Sequence, residues 1–173
     1  VTYKEIEDFM DDSYSRPLAT IFSSITRKPV DVNVLTQVHK AKLTSGEEVL
    51  VKVKKPGIEK EIREELKAMQ YVVAKLKKTA PEIKGKKILS EFTSYLHKKI
   101  DLRSELQFLE SSAKTTSGEF MPKVYGQLSN KNVLVYAYIK RDKKKHLTKN
   151  KYEEQLHIIQ GEFIIFFMAI LLL

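Results

Sequence analysis

The chain contains no cysteine, and only six glycines and five prolines occur among its 173 residues. Without cysteine it can form neither a disulfide framework nor a thiolate metal site, which suits a reducing compartment. The small amount of glycine and proline argues against a fibrous or disordered chain. With 42% hydrophobic and 31% charged residues, the composition predicts one globular domain, or part of one.

Acidic residues are fewer than basic ones. The chain has 22 Asp and Glu and 31 Lys and Arg, which gives a formal net charge of +9. Such an excess is typical of proteins that bind nucleic acids or anionic membranes. The lysines, however, are spread along predicted helices and are not interleaved with aromatic residues. We therefore expect a solvated, lysine-rich surface and no specific nucleic-acid binding. The four histidines lack metal-ligand spacing, so no metal site is predicted.

The chain shows no targeting segment. Its N-terminus lacks the basic, apolar and small-residue progression of a signal peptide, so secretion is not expected. Residues 163–173 are all apolar, but this run is shorter than the roughly 20 residues that a helix needs to cross a bilayer. We expect a cytoplasmic or membrane-peripheral location, mitochondrial in a eukaryote.

Hydrophobic spacing predicts the order helix, two strands, two helices, two strands. An amphipathic first helix contains Tyr3, Ile6, Met10 and Tyr14, and a short second helix is expected over 18–25. The remaining predicted elements are a hairpin of 32–42 and 49–53, helices 57–79 and 87–111, and a second hairpin of 123–127 and 133–139. A basic loop and a truncated apolar helix are expected over 141–173.

Lys52 poses a chemical question, because it lies in the middle of an apolar strand, Val-Leu-Val-Lys-Val. Such a lysine must either reach an edge or hold a buried anion. In kinase-like folds a strand lysine contacts the α and β phosphates and is braced by a glutamate from a helix. Glu105, on the predicted helix 87–111, can supply that brace. An outward lysine on an edge strand is the alternative, and the strand pattern alone favours neither.

Two segments around Lys52 match a known motif: residues 37–41, Gln-Val-His-Lys-Ala, and, after Gly46, residues 51–58, Val-Lys-Val-Lys-Lys-Pro-Gly-Ile. They resemble the Q-V-H-x-A … G-x-x-V-A-V-K-V-x-x-P-G-I sequence of the UbiB/AarF/ADCK (ABC-one) family of atypical kinase-like proteins. Further similarities, over about residues 1–140, are 101–105 to its D-F-x-x-E, 121–125 to its V-P-x-V-Y and 133–139 to its V-L-V-M-E-W-I.

The resemblance implies an α+β fold, a protein-kinase-like N-lobe with a small antiparallel sheet, family-specific extra helices and no C-lobe. It divides the chain into three parts. Residues 1–28 are expected to form an N-terminal helical extension. Residues 29–140 are expected to form the N-lobe, with two hairpins, an inserted helix 57–79 and an αC-like helix 87–111. Residues 141–173 are expected to be a basic linker followed by the truncated apolar helix.

The same resemblance implies ATP with Mg²⁺ as cofactor and assigns the nucleotide-binding residues. Lys52 would contact phosphates and Glu105 would brace it. The stretch 29–39 would cover the phosphates, and the hinge would offer backbone groups to adenine. The other expected nucleotide-binding residues in these two segments are Gln37, Val38, His39, Ala137 and Tyr138.

Departures from the family motifs predict weak or absent ATP binding. Residues 30–36 are bulky and include Asp31, whereas the family's nucleotide loop is rich in Ala and Ser. Its regulatory E-x-D motif remains only as Lys99-Ile100-Asp101. The K-x-G-Q, H-x-D and D-F-G motifs do not occur, so this chain is predicted to be inactive by itself. Residues 166–171 lie where the family has the sequence F-F-H-x-D-P. With a suitable choice of codons, one base added to the gene would restore that sequence.

The sequence therefore predicts an N-lobe fragment of a UbiB-like atypical kinase or ATPase, which binds ATP at most. The family role that the resemblance implies is ubiquinone biosynthesis or membrane lipid metabolism. The alternative is a non-catalytic interaction module that docks on an anionic membrane or a partner protein through its lysines.

Overall fold

The computed structural model describes residues 1–115 and 122–139, and in these ranges the predicted α+β class is confirmed. The helices of this part of the chain are α1 (Tyr3–Ser13), α2 (Ile58–Thr79), α3 (Gly85–Ile100) and α4 (Leu102–Thr115). The strands are β1 (Phe22–Ile25), β2 (Asp31–Val32), β3 (Thr36–Leu43), β4 (Glu48–Lys54) and β5 (Val133–Ala137).

The strands form one antiparallel sheet in the order β1-β3-β4-β5, and β2 pairs with β3. Strands β1 and β2 share one edge of the sheet, since β1 pairs with the end of β3 and β2 with its beginning. A tight turn joins β3 to β4, and Gly46 adopts φ +96° there, a conformation that favours glycine. Strands β3 and β4 thus lie in the middle of the sheet, and β5 forms its other edge.

Strand alternation gives the sheet two different faces. Val49, Val51 and Val53 are fully buried on one face, where they form the main core with Ile6 and Met10 of α1. Because successive side chains of a strand point to opposite faces, Lys52 projects from the other face of β4. The sheet therefore separates the α1 core from the lysine side.

The N-terminal segment belongs to this core. The sequence predicts a helix over 18–25, but the structure has a 3₁₀ turn at Leu18–Thr20 followed by strand β1. The predicted helix over 18–25 is wrong because helical periodicity does not reveal that Phe22 and its neighbours pair with β3. Residues 1–28, predicted as a helical extension, lie in the same unit as the sheet, which comprises residues 1–138.

Helix α1 is fixed at both ends. Thr2 and Glu5 form a capping box at its start, with the Thr2 N–H donating to the Glu5 carboxylate at 2.7 Å. Just beyond its end, the Tyr14 hydroxyl donates to the Leu128 carbonyl at 2.7 Å. Burial raises the pKa of this phenol. The Tyr14 contact ties the end of α1 to the segment that precedes β5.

Helices α2 and α3 pack together through a second apolar cluster, and α2 begins after Gly57, which has φ +82°. The predicted single helix 87–111 is wrong, because Asp101 interrupts it in extended conformation between α3 and α4. The Asp101 carboxylate accepts a hydrogen bond from the Arg103 N–H at 3.0 Å. It thereby caps α4 in the way that short acidic side chains cap helices.

Only one of the two strands predicted for the second hairpin is present. Val133–Ala137 is a strand, but residues 123–127 contribute only a bridge between Val124 and Tyr136, followed by a 3₁₀ turn at Gly126–Leu128. The predicted basic linker and apolar helix of 141–173 lie outside the described residues. Within the described part, no helix is long and apolar enough to span a membrane.

Candidate functional site

The Lys52 ammonium contacts both carboxylate oxygens of Glu105, at 2.9 and 2.7 Å. The Lys52 side chain is 20% exposed and that of Glu105 40% exposed. The pair is therefore reachable from solvent yet held in one geometry. A lysine in this position offers a positive charge to an anionic ligand, and the glutamate keeps the lysine extended toward it.

Two structural features bring this pair together. Lys52 lies opposite Val38 of β3 and Leu134 of β5, so neighbouring strands fix its backbone on both sides. Helix α4 is anchored at its first residue, Leu102, which is 1% exposed and donates its N–H to the Lys131 carbonyl at 3.2 Å. Glu105 follows one helical turn later and meets the lysine.

Val38 lies on the same face as Lys52, because directly opposed residues of antiparallel strands share a face. The side chains of Gln37 and His39 lie on the other face, opposite Val53 and Val51. Gln37 donates to the Val1 carbonyl at 3.1 Å, and His39 Nδ1 contacts the Thr26 carbonyl at 2.8 Å. These two side chains contact backbone carbonyls from distant parts of the chain and do not line the lysine site.

Ala137 and Tyr138 lie at the end of β5, and their N–H groups are already engaged. Ala137 donates to the Lys123 carbonyl at 2.8 Å and Tyr138 to the Glu48 carbonyl at 3.0 Å. The Tyr138 ring also contacts the Lys40 ammonium, 4.3 Å from the ring centroid. An adenine bound here would have to form its hydrogen bonds with other backbone groups of this segment.

Tyr136 is a site residue that the sequence reasoning missed. It lies opposite Leu50, on the Lys52 face, and burial raises the pKa of its phenol to about 12, with smaller contributions from Glu105 and Asp31. The available signal was its spacing of two from Leu134, which pairs with Lys52. Tyr136 thus places a neutral phenol on the Lys52 face.

Lys99 and Asp101, which stand at the positions of the family's E-x-D motif, have different partners in the structure. Lys99 is exposed, and its ammonium lies 5.5 Å from the centroid of the Tyr95 ring. Asp101 is bound by the Arg103 guanidinium, whose hydrogen bonds are the main cause that lowers the pKa of this carboxyl. Asp101 is therefore a helix cap paired with arginine.

The donor set of the site suits phosphate oxygens, since Lys52 is an oriented cation on a face shared with small and apolar residues. For Mg²⁺ the situation differs. Among residues 1–115 and 122–139, no three His, Asp or Glu side chains lie together as a metal site. Magnesium bound with a nucleotide would need ligands beyond these residues or from the nucleotide itself.

A five-stranded antiparallel sheet whose central lysine pairs with a helix glutamate defines a protein-kinase-like N-lobe. The family model of the ABC1 atypical kinase-like domain matches residues 1–172. The chain therefore belongs to the ABC1 family of atypical kinase-like proteins. The resemblance to the UbiB/AarF/ADCK proteins is thus confirmed.

Individual relatives agree with this assignment. The chain is 34% identical to the AarF domain-containing kinase 1 of Drosophila melanogaster over 122 residues, 69% of this chain and 24% of that protein. It is 28% identical to the probable protein kinase UbiB of Marinobacter nauticus over 144 residues, 79% of this chain and 26% of that protein. Aligned regions thus span about a quarter of these relatives.

A solved structure shows the same fold. The Mycobacterium tuberculosis protein Rv3197, in complex with erythromycin, superposes with a TM-score of 0.70 at 26% sequence identity. The superposition covers 81% of this chain and 36% of that protein.

Proposed function

We propose that this chain provides the phosphate-contacting part of a nucleotide site in a UbiB-like atypical kinase or ATPase. In this proposal Lys52 contacts ATP phosphates and Glu105 holds the lysine in place. The associated process is ubiquinone biosynthesis or membrane lipid metabolism, the role implied by the resemblance to UbiB. The observation that carries the proposal is the two-oxygen contact between Glu105 and the Lys52 ammonium.

The affinity of this chain for a nucleotide should be low. The segment that would cover the phosphates exposes Val30, Val32 and Val34, and its Asp31 pairs with Val38 on the lysine face. Bulky side chains keep the backbone from approaching phosphate oxygens, and a carboxylate beside them repels an anion. We therefore propose ATP binding without turnover, since the catalytic-loop and metal-binding motifs do not occur in these 173 residues.

The test measures ATP binding by NMR chemical-shift perturbation, which detects affinities too weak for a clear thermal shift. We expect weak, saturable binding by the wild-type chain and loss of about tenfold or more in Lys52→Ala, because a charge-assisted contact to phosphate contributes roughly 1.5–3 kcal/mol. ATP hydrolysis should stay at background with Mg²⁺ present.

Lys42→Ala is the matched control, since Lys42 is an exposed lysine on the neighbouring strand β3. It should leave ATP binding unchanged. Equal loss in both variants would mean that only the general positive charge matters. A Mg²⁺-dependent turnover that Lys52→Ala abolishes would overturn the proposed inactivity.

A second candidate function is docking on an anionic membrane, favoured by the end of the α2–α3 hairpin. Its exposed lysines outnumber its one acidic residue, Glu82, and three exposed apolar side chains lie beside them. The lysines are Lys75, Lys77, Lys78, Lys84, Lys86 and Lys87, and the apolar residues are Tyr71, Val72 and Leu76. Basic groups beside apolar ones are typical of interfacial contacts.

Sedimentation with phosphatidylserine-containing vesicles tests this candidate. The triple variant Lys77→Gln/Lys78→Gln/Lys84→Gln should weaken binding roughly a hundredfold, because each lysine near an anionic surface contributes about 1 kcal/mol. Salt should weaken wild-type binding strongly. The control Lys42→Gln/Lys60→Gln/Lys67→Gln removes equal charge elsewhere, and an equal loss there would exclude a localised docking surface.

A further inference from the structure

A cleft of about 310 Å³ lies beside the Lys52–Glu105 pair and plays no part in the proposed nucleotide contact. It is bounded by the end of β4, the first turns of α2, the junction of α3 with α4 and the loop before β5. Two isoleucines contribute apolar wall. Its charged and titratable lining residues are Lys54, Glu59, Arg63, His97, Asp101 and Lys131.

Both carboxylates of the cleft are already neutralised. Glu59 accepts a hydrogen bond from the Lys54 ammonium at 2.6 Å, and the Lys54 side chain is only 3% exposed. Asp101 is held by Arg103 through its guanidinium and its backbone N–H. The negative charges that line the cleft are thus matched one to one by Lys54 and Arg103.

Three basic side chains of the cleft are Arg63, His97 and Lys131, and none makes an ion pair with any residue of the described ranges. Arg63 and Lys131 lie near enough to Glu59 that their charges help Lys54 to lower the pKa of that carboxyl. His97 aside, the cleft and Arg103 together carry four cations, namely Lys54, Arg63, Arg103 and Lys131, and two anions, Glu59 and Asp101.

We infer that this cleft binds a phosphate group, with Arg63 and Lys131 as its charged ligands and His97 as a further donor. Arginine matches the paired oxygens of a phosphate, and lysine supplies a second point charge. A doubly charged phosphate would balance the excess of positive charge. The group can arrive as inorganic phosphate or as a phosphate monoester.

A bound phosphate would also act on the neighbouring site. Asp101 caps α4 four residues before Glu105, and the Lys131 carbonyl receives the N–H of Leu102, the first residue of that helix. An anion held between Arg63 of α2 and Lys131 would fix the start of α4. The inferred site is therefore placed to stabilise the position of Glu105, although its own binding does not depend on a nucleotide.

The test titrates inorganic phosphate, and separately glycerol phosphate, into the full chain at constant ionic strength, with binding followed by NMR. We expect saturable binding of at least one of them by the wild type. Arg63→Gln/Lys131→Gln should weaken it about tenfold or more, since charge-assisted hydrogen bonds are lost. Preference between the two ligands identifies the source of the phosphate.

Two controls make the result specific. Lys42→Gln/Lys67→Gln removes the same charge from exposed positions outside the cleft, and it should bind phosphate as the wild type does. In Lys52→Ala the resonances of the residues that line the cleft should still shift with phosphate as in the wild type, which separates this site from a phosphate contact at Lys52. The inference is overturned by a response no greater than that to chloride, by equal losses in both double variants, or by shifts that arise at Lys52 and not in the cleft.

Discussion

Replacing Ile6 by alanine should lower the free energy of unfolding by about 2–5 kcal/mol, the range for truncation of a fully buried aliphatic side chain. Ile6 is 0% exposed and packs with the buried valines of β4 and β5. Met10, one turn later and 1% exposed, should give a similar loss. Because a domain is stable by only about 5–15 kcal/mol, either change removes much of the stability. Urea denaturation measures the effect.

Asp12→Ala is the control on the same helix, since Asp12 is exposed and forms no ion pair with a described residue. Its effect should stay within about 0.5 kcal/mol. If Ile6→Ala changed stability no more than this control does, helix α1 would be a peripheral extension and not part of the core.

The ion pair of the buried Lys54 with Glu59 should give different results depending on which partner is changed. Glu59→Gln removes the carboxylate and leaves an ammonium that is 3% exposed, which should cost about 1–3 kcal/mol. The Glu59 side chain is 45% exposed, so the cost should stay below that of a fully buried pair. Lys54→Met removes the buried charge, and Glu59 can then turn to water, so that variant should be nearly neutral.

The effect of Glu59→Gln should depend on pH in a defined direction. The hydrogen bond from Lys54, then its charge, lowers the pKa of the Glu59 carboxyl in the folded chain. A lowered folded pKa stabilises the fold above the unfolded pKa, and this contribution disappears as the pH falls through the folded value. The stability difference between wild type and Glu59→Gln should therefore be full at pH 7 and vanish in acid.

Denaturation curves at several pH values distinguish these outcomes. Equal destabilisation by Glu59→Gln and Lys54→Met would mean that the ion pair as a whole stabilises the fold, contrary to the nearly neutral result expected for Lys54→Met. A difference that persists unchanged in acid would mean that the Glu59 charge contributes nothing.

Sequence reasoning reached the Lys52–Glu105 contact because both residues carry strong local signals. A lysine within an apolar strand needs an anion, and the similarity around it to a known motif suggested which helix supplies one. It assigned Gln37 and His39 to the same site, yet their side chains lie on the opposite face. Successive side chains of a strand point to opposite faces of the sheet. The sequence does not indicate which of the two faces binds the ligand.

The amino-acid sequence by itself determined the α+β class, the approximate course of α2 and β4, and the membership of the ABC1 family. These features depend on local periodicity and on residues close together in the chain. Tertiary structure alone decided that β1 joins the sheet, that Asp101 ends one helix and caps the next, and that Arg63 and Lys131 share a cleft. The pairing of β1 and the shared cleft depend on contacts between residues far apart in sequence, whose free energy overrides local preference. The break at Asp101 combines a local hydrogen bond from Arg103 with the distant contact of Leu102 to the Lys131 carbonyl.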